Sequence, residues 1–455
     1  MRPGDRTSLI AGGAAACPGI VGNKRIKTMA KRGNKYQKAT ELPLVAVDLG
    51  SHGVRAMAAQ RVGDGLFRIL GVEECNEKPR AVEAGIVRQS VDTGFAINKV
   101  LTLLANRIGV EEIPSAFCSV GGHSMGVVEV MAKRDQVRRR EIPATLLEAL
   151  EEECKQKIEN KYPQLAVLGI VPSFYVLDGM RQEEVAERQS ATVLEGHYNA
   201  FYGNKLIDAN LRKSFLQAKK VVESVFPRPD VLLSLFAAED GSRILDEGCA
   251  VLDIGHETTT LTVYKAGEYI CNEVVVQGGA HITRYLQQQG VSAKTAELLK
   301  TQYGYASPEQ VEKNITMRIP ATPELGGYFS LTSEQLAETI AQKLDEILGP
   351  LLAKLNSYAG RIRTLYITGG GSMLRGVDDY IQRRTSISVR YGGHDLLLTA
   401  DTAEQYLEPT YASLVGTILL GQDYRDRHQD RVIKGAENLL GETKKKLIDL
   451  FSEQE

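Results

Sequence analysis

Two stretches of this chain, half its length apart, carry the same order of apolar and polar positions. The first, Leu44 to Glu74, opens with the run Leu44-Val45-Ala46-Val47, ends it in Asp48-Leu49-Gly50 and resumes after polar residues with Val54, Ala56 and Ala58 in alternation. The second, Ala250 to Gly279, ends its run in Asp253-Ile254-Gly255 and resumes with Leu261 and Val263. Each then passes a glycine-containing turn, Gly63-Asp64-Gly65 or Ala266-Gly267, into a third apolar segment. Alternation with period two puts every second side chain on one face, so each stretch predicts a three-stranded meander with one face buried. Its recurrence predicts an internal duplication. Thr93 to Ile108, Pro143 to Ile158, Thr332 to Ala353 and Val377 to Arg384 repeat apolar residues at helical spacing instead. Phe117 to Val120, Ile170 to Leu177 and Leu365 to Thr368 read as further strands, the last running into Gly369-Gly370-Gly371. Strands that alternate with helices predict an α/β protein.

These elements divide the chain into a basic tail (1–41), the first part of one lobe (42–84), a small inserted α/β domain (85–180), the rest of the first lobe (181–247), a second lobe (248–421), a charged linker (422–435) and a terminal helix (436–455). Met1 to Lys38 mix small residues with nine basic ones and show no period, which predicts disorder. Three glycines and a proline break Leu9 to Val21, so a signal peptide is not expected, and both Met1 and Met29 are plausible starts. Along the terminal helix, Ala436, Leu440, Leu447 and Phe451 fall on one line, flanked by Leu439, Ile448 and Leu450. Glu442, Lys445, Asp449 and Glu453 face away, while Lys444 edges the stripe. A short amphipathic helix with Lys444, Lys445 and Lys446, reached through a charged linker, predicts attachment to an anionic membrane surface. The alternative is a helix docked on its own protein.

Composition narrows the partners more than the fold. A chain of 455 residues with 43% hydrophobic content can bury several cores, and its length suggests about three domains. Lys and Arg (55) nearly balance Asp and Glu (57), so no charge excess points to nucleic acid. The six cysteines are scattered, without a CxxC pair or zinc spacing, which suits a reducing cytosol. No apolar run approaches the ~20 residues of a spanning helix. Arg138-Arg139-Arg140 reads as a solvated loop, and His123 and His281 as polar turn residues.

A strand ending in Asp-x-Gly sets a carboxylate at its carboxyl end and lets the backbone beyond it approach a ligand. In the first copy Gly50, Ser51, His52 and Gly53 would offer amides and a hydroxyl to phosphate, with Arg55 adding positive charge. In the second, Gly255, Thr258 and Thr259 would do the same. Two facing hairpins would bracket a polyphosphate, with Asp48 and Asp253 holding Mg²⁺ through its waters. One such turn alone reads as a tight hairpin; two copies plus a glycine-rich strand-turn-helix point to a nucleotide.

These pieces resemble the actin, sugar-kinase and chaperone ATPase superfamily. Gly278 to Thr283 (GGAHIT), Ala296 to Gly304 (AELLKTQYG), Leu365 to Tyr380 (LYITGGGSMLRGVDDY) and Pro409 to Gly421 (PTYASLVGTILLG) resemble the FtsA family of bacterial cell-division proteins in particular. The resemblance implies a two-lobed actin-like ATPase fold, an inserted SHS2-type domain and a C-terminal amphipathic helix. It also implies ATP and Mg²⁺ as cofactors, head-to-tail filaments of the chain with itself, and the tubulin-like FtsZ and other division proteins as partners. The implied location is the cytoplasmic face of the cell membrane at the division septum. Glu297 and Lys300 would approach ribose and adenine; by themselves they read as a surface ion pair. Gly278 and Gly279 join the set, and Gly369, Gly370, Gly371 and Ser372 would line the adenosine from the other side. The chain departs from the family at His256 and Glu257, where relatives often carry glycines, and at Arg284 and Tyr285, where they often carry an acidic residue. Without a general base placed between Leu235 and Gly241, where Glu239 and Asp240 read as helix-end residues, slow or negligible turnover is expected. The alternatives are a PilM-like adaptor of a membrane machine, a superfamily phosphotransferase or ATPase, and a nucleotide-free scaffold.

Overall fold

The computed structural model describes residues 43–427, apart from positions 79, 124, 187 and 241. The tail expected at 1–41, most of the linker and the 436–455 helix, with Leu439, Leu440, Lys444, Lys445, Leu447, Ile448 and Phe451, lie outside the described residues.

The first meander is β1 (Leu44–Leu49), β2 (Val54–Arg61) and β3 (Phe67–Cys75), antiparallel throughout. After the small ribbon of β4 (Val82–Glu83) and β5 (Ile86–Val87), the Ser90–Ile108 helix leads into β6 (Ser115–Val120), which pairs parallel to β1. The helix is closed by Gly109 at φ 73°, a left-handed backbone that glycine adopts without strain. Next come β7 (Gly126–Glu141), the Ala144–Lys161 helix, β8 (Leu165–Leu177), β9 (Met180–Gln182) and β10 (Ser190–Asn204), whose four strands form their own sheet in the order β7-β10-β8-β9. The Lys205–Gln217 helix returns the chain to the first sheet through β11 (Val221–Pro227), giving the order β11-β6-β1-β2-β3.

The second half repeats this plan. Its meander is β12 (Cys249–Ile254), β13 (Thr259–Lys265) and β14 (Glu268–Val275). A ribbon of β15 (Thr316–Pro320) and β16 (Tyr328–Thr332) precedes the Ser333–Asn356 helix. Parallel strands β17 (Thr364–Thr368) and β18 (Ser388–Tyr391) complete the order β14-β13-β12-β17-β18. The two five-stranded sheets thus match strand for strand, and Asp48 beside Ser119 of β6 repeats as Asp253 beside Thr368 of β17.

Central parallel strands covered on both faces read as continuous apolar runs, and β1 is buried at all six positions. Val45 and Val47 pack with Ile97, Leu101 and Leu104 of the Ser90–Ile108 helix. Leu44 and Ala46 face a central core shared by both sheets, where Phe117, Phe236, Val251 and Tyr366 meet Leu414, Val415 and Ile418. The small sheet keeps a separate core of Ala132, Leu150, Cys154, Tyr175, Leu194 and Tyr198 against its helix.

Strand pairing groups the residues differently from the expected insertion at 85–180. The Ser90–Ile108 helix and β6 belong with the first sheet, because β6 is the parallel neighbour of β1, whereas β10 lies between β7 and β8 in the small sheet. Arg138, Arg139 and Arg140 are exposed positions on β7 and not a loop. Where a linker is expected from 422, a helix running through 412–427 continues, and its final turns are packed. Arg425 pairs with Glu223 at 2.7 Å and Asp426 with Arg61 at 3.1 Å, while Gln422 is buried. The five described cysteines are buried and unbridged. Among the described residues no helix is long and apolar enough to cross a membrane.

Candidate functional site

Between the two meanders lies a cleft of about 340 Å³, within the range of small-molecule sites. The β1–β2 and β12–β13 hairpins enter it as near copies. The Gly50 N–H donates to the Gly53 carbonyl at 3.1 Å, and the Gly255 N–H to the Thr258 carbonyl at 2.8 Å. A β-carbon on Gly255 would stand 2.9 Å from that Thr258 oxygen, so the turn needs glycine there. These two amides, expected to face phosphate, instead close their own turns. Beyond those two glycines, the segments 51–53 and 256–258 also border the cleft.

The cleft brings together Asp48, Gly50, Ser51, His52, Arg55, Asp253, Gly255, Thr258, Gly279, Glu297, Lys300, Gly369, Gly370 and Gly371. Three expected residues do not line it. Thr259 is wholly buried and donates its hydroxyl to the Gln277 carbonyl at 2.8 Å. Ser372 is wholly buried and donates to the Gly369 carbonyl at 2.7 Å, bracing the glycine loop from within. The Gly278 N–H donates to His281 Nδ1 at 3.1 Å, so Gly278 is tied up in starting the Gly279–Gln287 helix, and His281 caps that helix and is not a turn residue.

On one wall Lys300 Nζ donates to Glu297 Oε2 at 2.8 Å, Thr283 Oγ1 at 2.9 Å and the Gly279 carbonyl at 3.2 Å. Burial alone would raise the Glu297 pKa, but the hydrogen bonds from Lys300 and Thr283 hold it below the ordinary value. Opposite, the glycine loop follows β17 with Gly369 at φ 82°. A β-carbon on Gly371 would meet Ile254 Cγ2 at 2.3 Å, so the loop lies directly against β12.

Across the mouth the two halves touch through His52 with His256 and Ala84 with Glu257. The His52 and His256 rings meet edge to face at 4.9 Å. Burial, then the charges of His52 and Lys300, push the His256 pKa down to about 4, which keeps the ring neutral at pH 7. Glu257 accepts the Ala84 N–H at 3.0 Å and pairs with Arg284 at 2.9 Å. Its charge is therefore engaged at the rim, and Tyr285 turns away to Gln342.

The two carboxylates expected to hold Mg²⁺ through water are arranged otherwise. Asp48 is ion-paired with Arg228, the first residue of the Arg228–Asp240 helix. Burial opposes charge on Arg228, but Asp48 and Asp253 hold its pKa above the ordinary value. Burial raises the Asp253 pKa; Arg228 opposes that rise and Asp48 adds to it. A guanidinium is thus paired with Asp48 and bears electrostatically on Asp253, where a divalent cation is expected from the sequence. Arg55 is also committed, to Glu74 at 3.2 Å and to Thr410 Oγ1 at 2.7 Å. Arg228 and Leu232 line the cleft from the start of their helix, ahead of the 235–241 stretch where a base would be sought. The side chains of Glu239 and Asp240 lie outside the described residues. The sequence signal for Arg228 is its place between Pro227 and Pro229 at the end of a strand.

A family model described as "Cell division protein FtsA" matches residues 250–416. The cell division protein FtsA of Streptococcus pneumoniae is 23% identical over 337 residues, covering 72% of this chain and 69% of its own. That of Escherichia coli K12 is 22% identical over 410 residues, covering 85% of this chain and 92% of its own. Among solved structures, one described as "PilM-PilN type IV pilus biogenesis complex" superposes with a TM-score of 0.60 at 14% identity, covering 84% of this chain and 98% of that one. The sequence matches bear out the resemblance to FtsA. The structural match bears out the actin-like α/β fold and, at that identity, says nothing of function.

Proposed function

From the chain's relation to the FtsA cell-division proteins, we propose that it is an ATP-binding actin-like protein that polymerises and tethers the FtsZ ring to the cytoplasmic membrane at the septum. The observation that supports it most is the cleft between two matched hairpins, walled by Lys300 and Glu297 on one side and by Gly369, Gly370 and Gly371 on the other. ATP fits that setting: glycines permit close approach of the backbone to phosphate, and the polar groups converge on one concave space. Turnover is slow at most: among the described side chains of the Arg228–Asp240 helix, those that line the cleft are Arg228 and Leu232, neither of them a general base. The expected anchor is the 436–455 helix, with filament avidity adding to its modest affinity for an anionic surface. The curated relatives favour this reading over a pilus adaptor, which shares the fold alone.

Co-sedimentation with anionic liposomes tests the proposal, comparing the full chain with one ending at Gly435, each with and without ATP. The full chain should pellet with ATP and the shortened chain should not. If neither pellets under any condition, the tether is wrong.

A further inference from the structure

Among the described residues four carboxylates, Asp48, Asp253, Glu257 and Glu297, line the cleft, and a triphosphate brings further negative charge into the same space. Like charges at close range in a partly desolvated site oppose binding unless cations offset them. Among the described residues three Lys and Arg side chains line the cleft, Arg55, Arg228 and Lys300. Two are engaged at its walls: Arg55 by Glu74 and Thr410, Lys300 by Glu297, Thr283 and the Gly279 carbonyl. Arg228 is engaged as well, by Asp48, but its Nε is shut off from solvent and has no hydrogen-bond acceptor among the described residues.

The surroundings are shaped to hold that guanidinium. Pro227 ends β11 and Pro229 follows Arg228, fixing the backbone on both sides. Gly121 leaves the space: a β-carbon there would stand 3.1 Å from Arg228 Cβ and 3.4 Å from Nε. A fork of fixed N–H groups suits carboxylate and phosphate alike.

We propose that Arg228 supplies, from within the chain, the positive charge that Asp48 and Asp253 would otherwise draw from a divalent cation, so that the cleft takes a nucleoside triphosphate without Mg²⁺. This rests on the reading of the cleft as a nucleotide site, and it assigns Arg228 as the residue that sets the metal requirement.

Titration calorimetry with ATP tests it, in excess EDTA and in excess Mg²⁺, on the full chain and on R228M. The unaltered protein should bind ATP with affinities that agree within about threefold in the two conditions. R228M should lose about tenfold in EDTA and recover with Mg²⁺, since Asp48 and Asp253 become available to the ion. If the unaltered chain binds about tenfold more tightly with Mg²⁺, the inference is overturned while the nucleotide reading survives. Tighter binding by R228M than by the unaltered chain in EDTA would make the guanidinium an obstacle, and would also overturn it. If no protein binds ATP in either condition, the nucleotide reading fails and takes this inference with it. The comparison on the unaltered chain stands even where R228M folds poorly, which thermal melts would reveal.

Discussion

Acid should weaken this protein in part through the His256 ring. With the His256 pKa pushed down to about 4 against an ordinary 6.5, the unfolded chain takes up a proton between those limits that the folded chain refuses. Stability is therefore whole above the upper limit and falls as the pH drops toward the lower one. The gap is worth about 3.4 kcal/mol in full, and the part lost between pH 7 and pH 5 is about 1.8 kcal/mol. Because the ring is only partly buried, solvent screening reduces the expected loss to about 1 kcal/mol. Urea unfolding at pH 7 and pH 5, on the unaltered chain and on His256→Asn, isolates it, since other titrating groups are common to both. The variant should lose about 1 kcal/mol less than the unaltered chain on acidification. Equal losses would refute the reasoning.

Other perturbations read different parts of the structure. Gly371→Ala places a β-carbon 2.3 Å from Ile254 Cγ2 and 2.9 Å from the Ile254 carbonyl oxygen; it should cost about 1–3 kcal/mol in urea unfolding and weaken ATP binding in a titration. Lys300→Ala removes three hydrogen bonds and leaves Glu297 with Thr283 alone, which should cost about 1.5–3 kcal/mol in the same assay. Phe117→Ala empties a wholly buried position stacked on Phe226 at 5.9 Å, with an expected loss of about 3–5 kcal/mol and faster proteolysis of the 412–427 helix.

The meanders were legible because their signals are local: period-two alternation, a carboxylate at a strand end and, at 255, a turn with no room for a β-carbon. The same holds for the Ser333–Asn356 helix, whose start is written in Thr332 and Gln335, each side chain meeting the other's backbone. What pairing over distance decides was not legible. Nothing in Ser115–Val120 says that it lies beside β1, and nothing in Ser190–Asn204 says that it lies between β7 and β8. Membership of the cleft failed at the same point. Thr259 sits one residue past a cleft-lining threonine, yet as the first residue of β13 it is turned inward to Gln277. Arg228 enters only because β11 lies beside β6 and delivers the next helix to the cleft. The charges at 422–427 suggested solvent, whereas Glu223 and Arg61 supply their partners from far along the chain.

The most direct test of the central claim is amide hydrogen exchange with and without ATP. If the cleft is the nucleotide site, ATP slows exchange at 51–53, at 256–258 and at 369–371 together, because these segments border one space. No change at those three segments, or protection confined to another region, would contradict it.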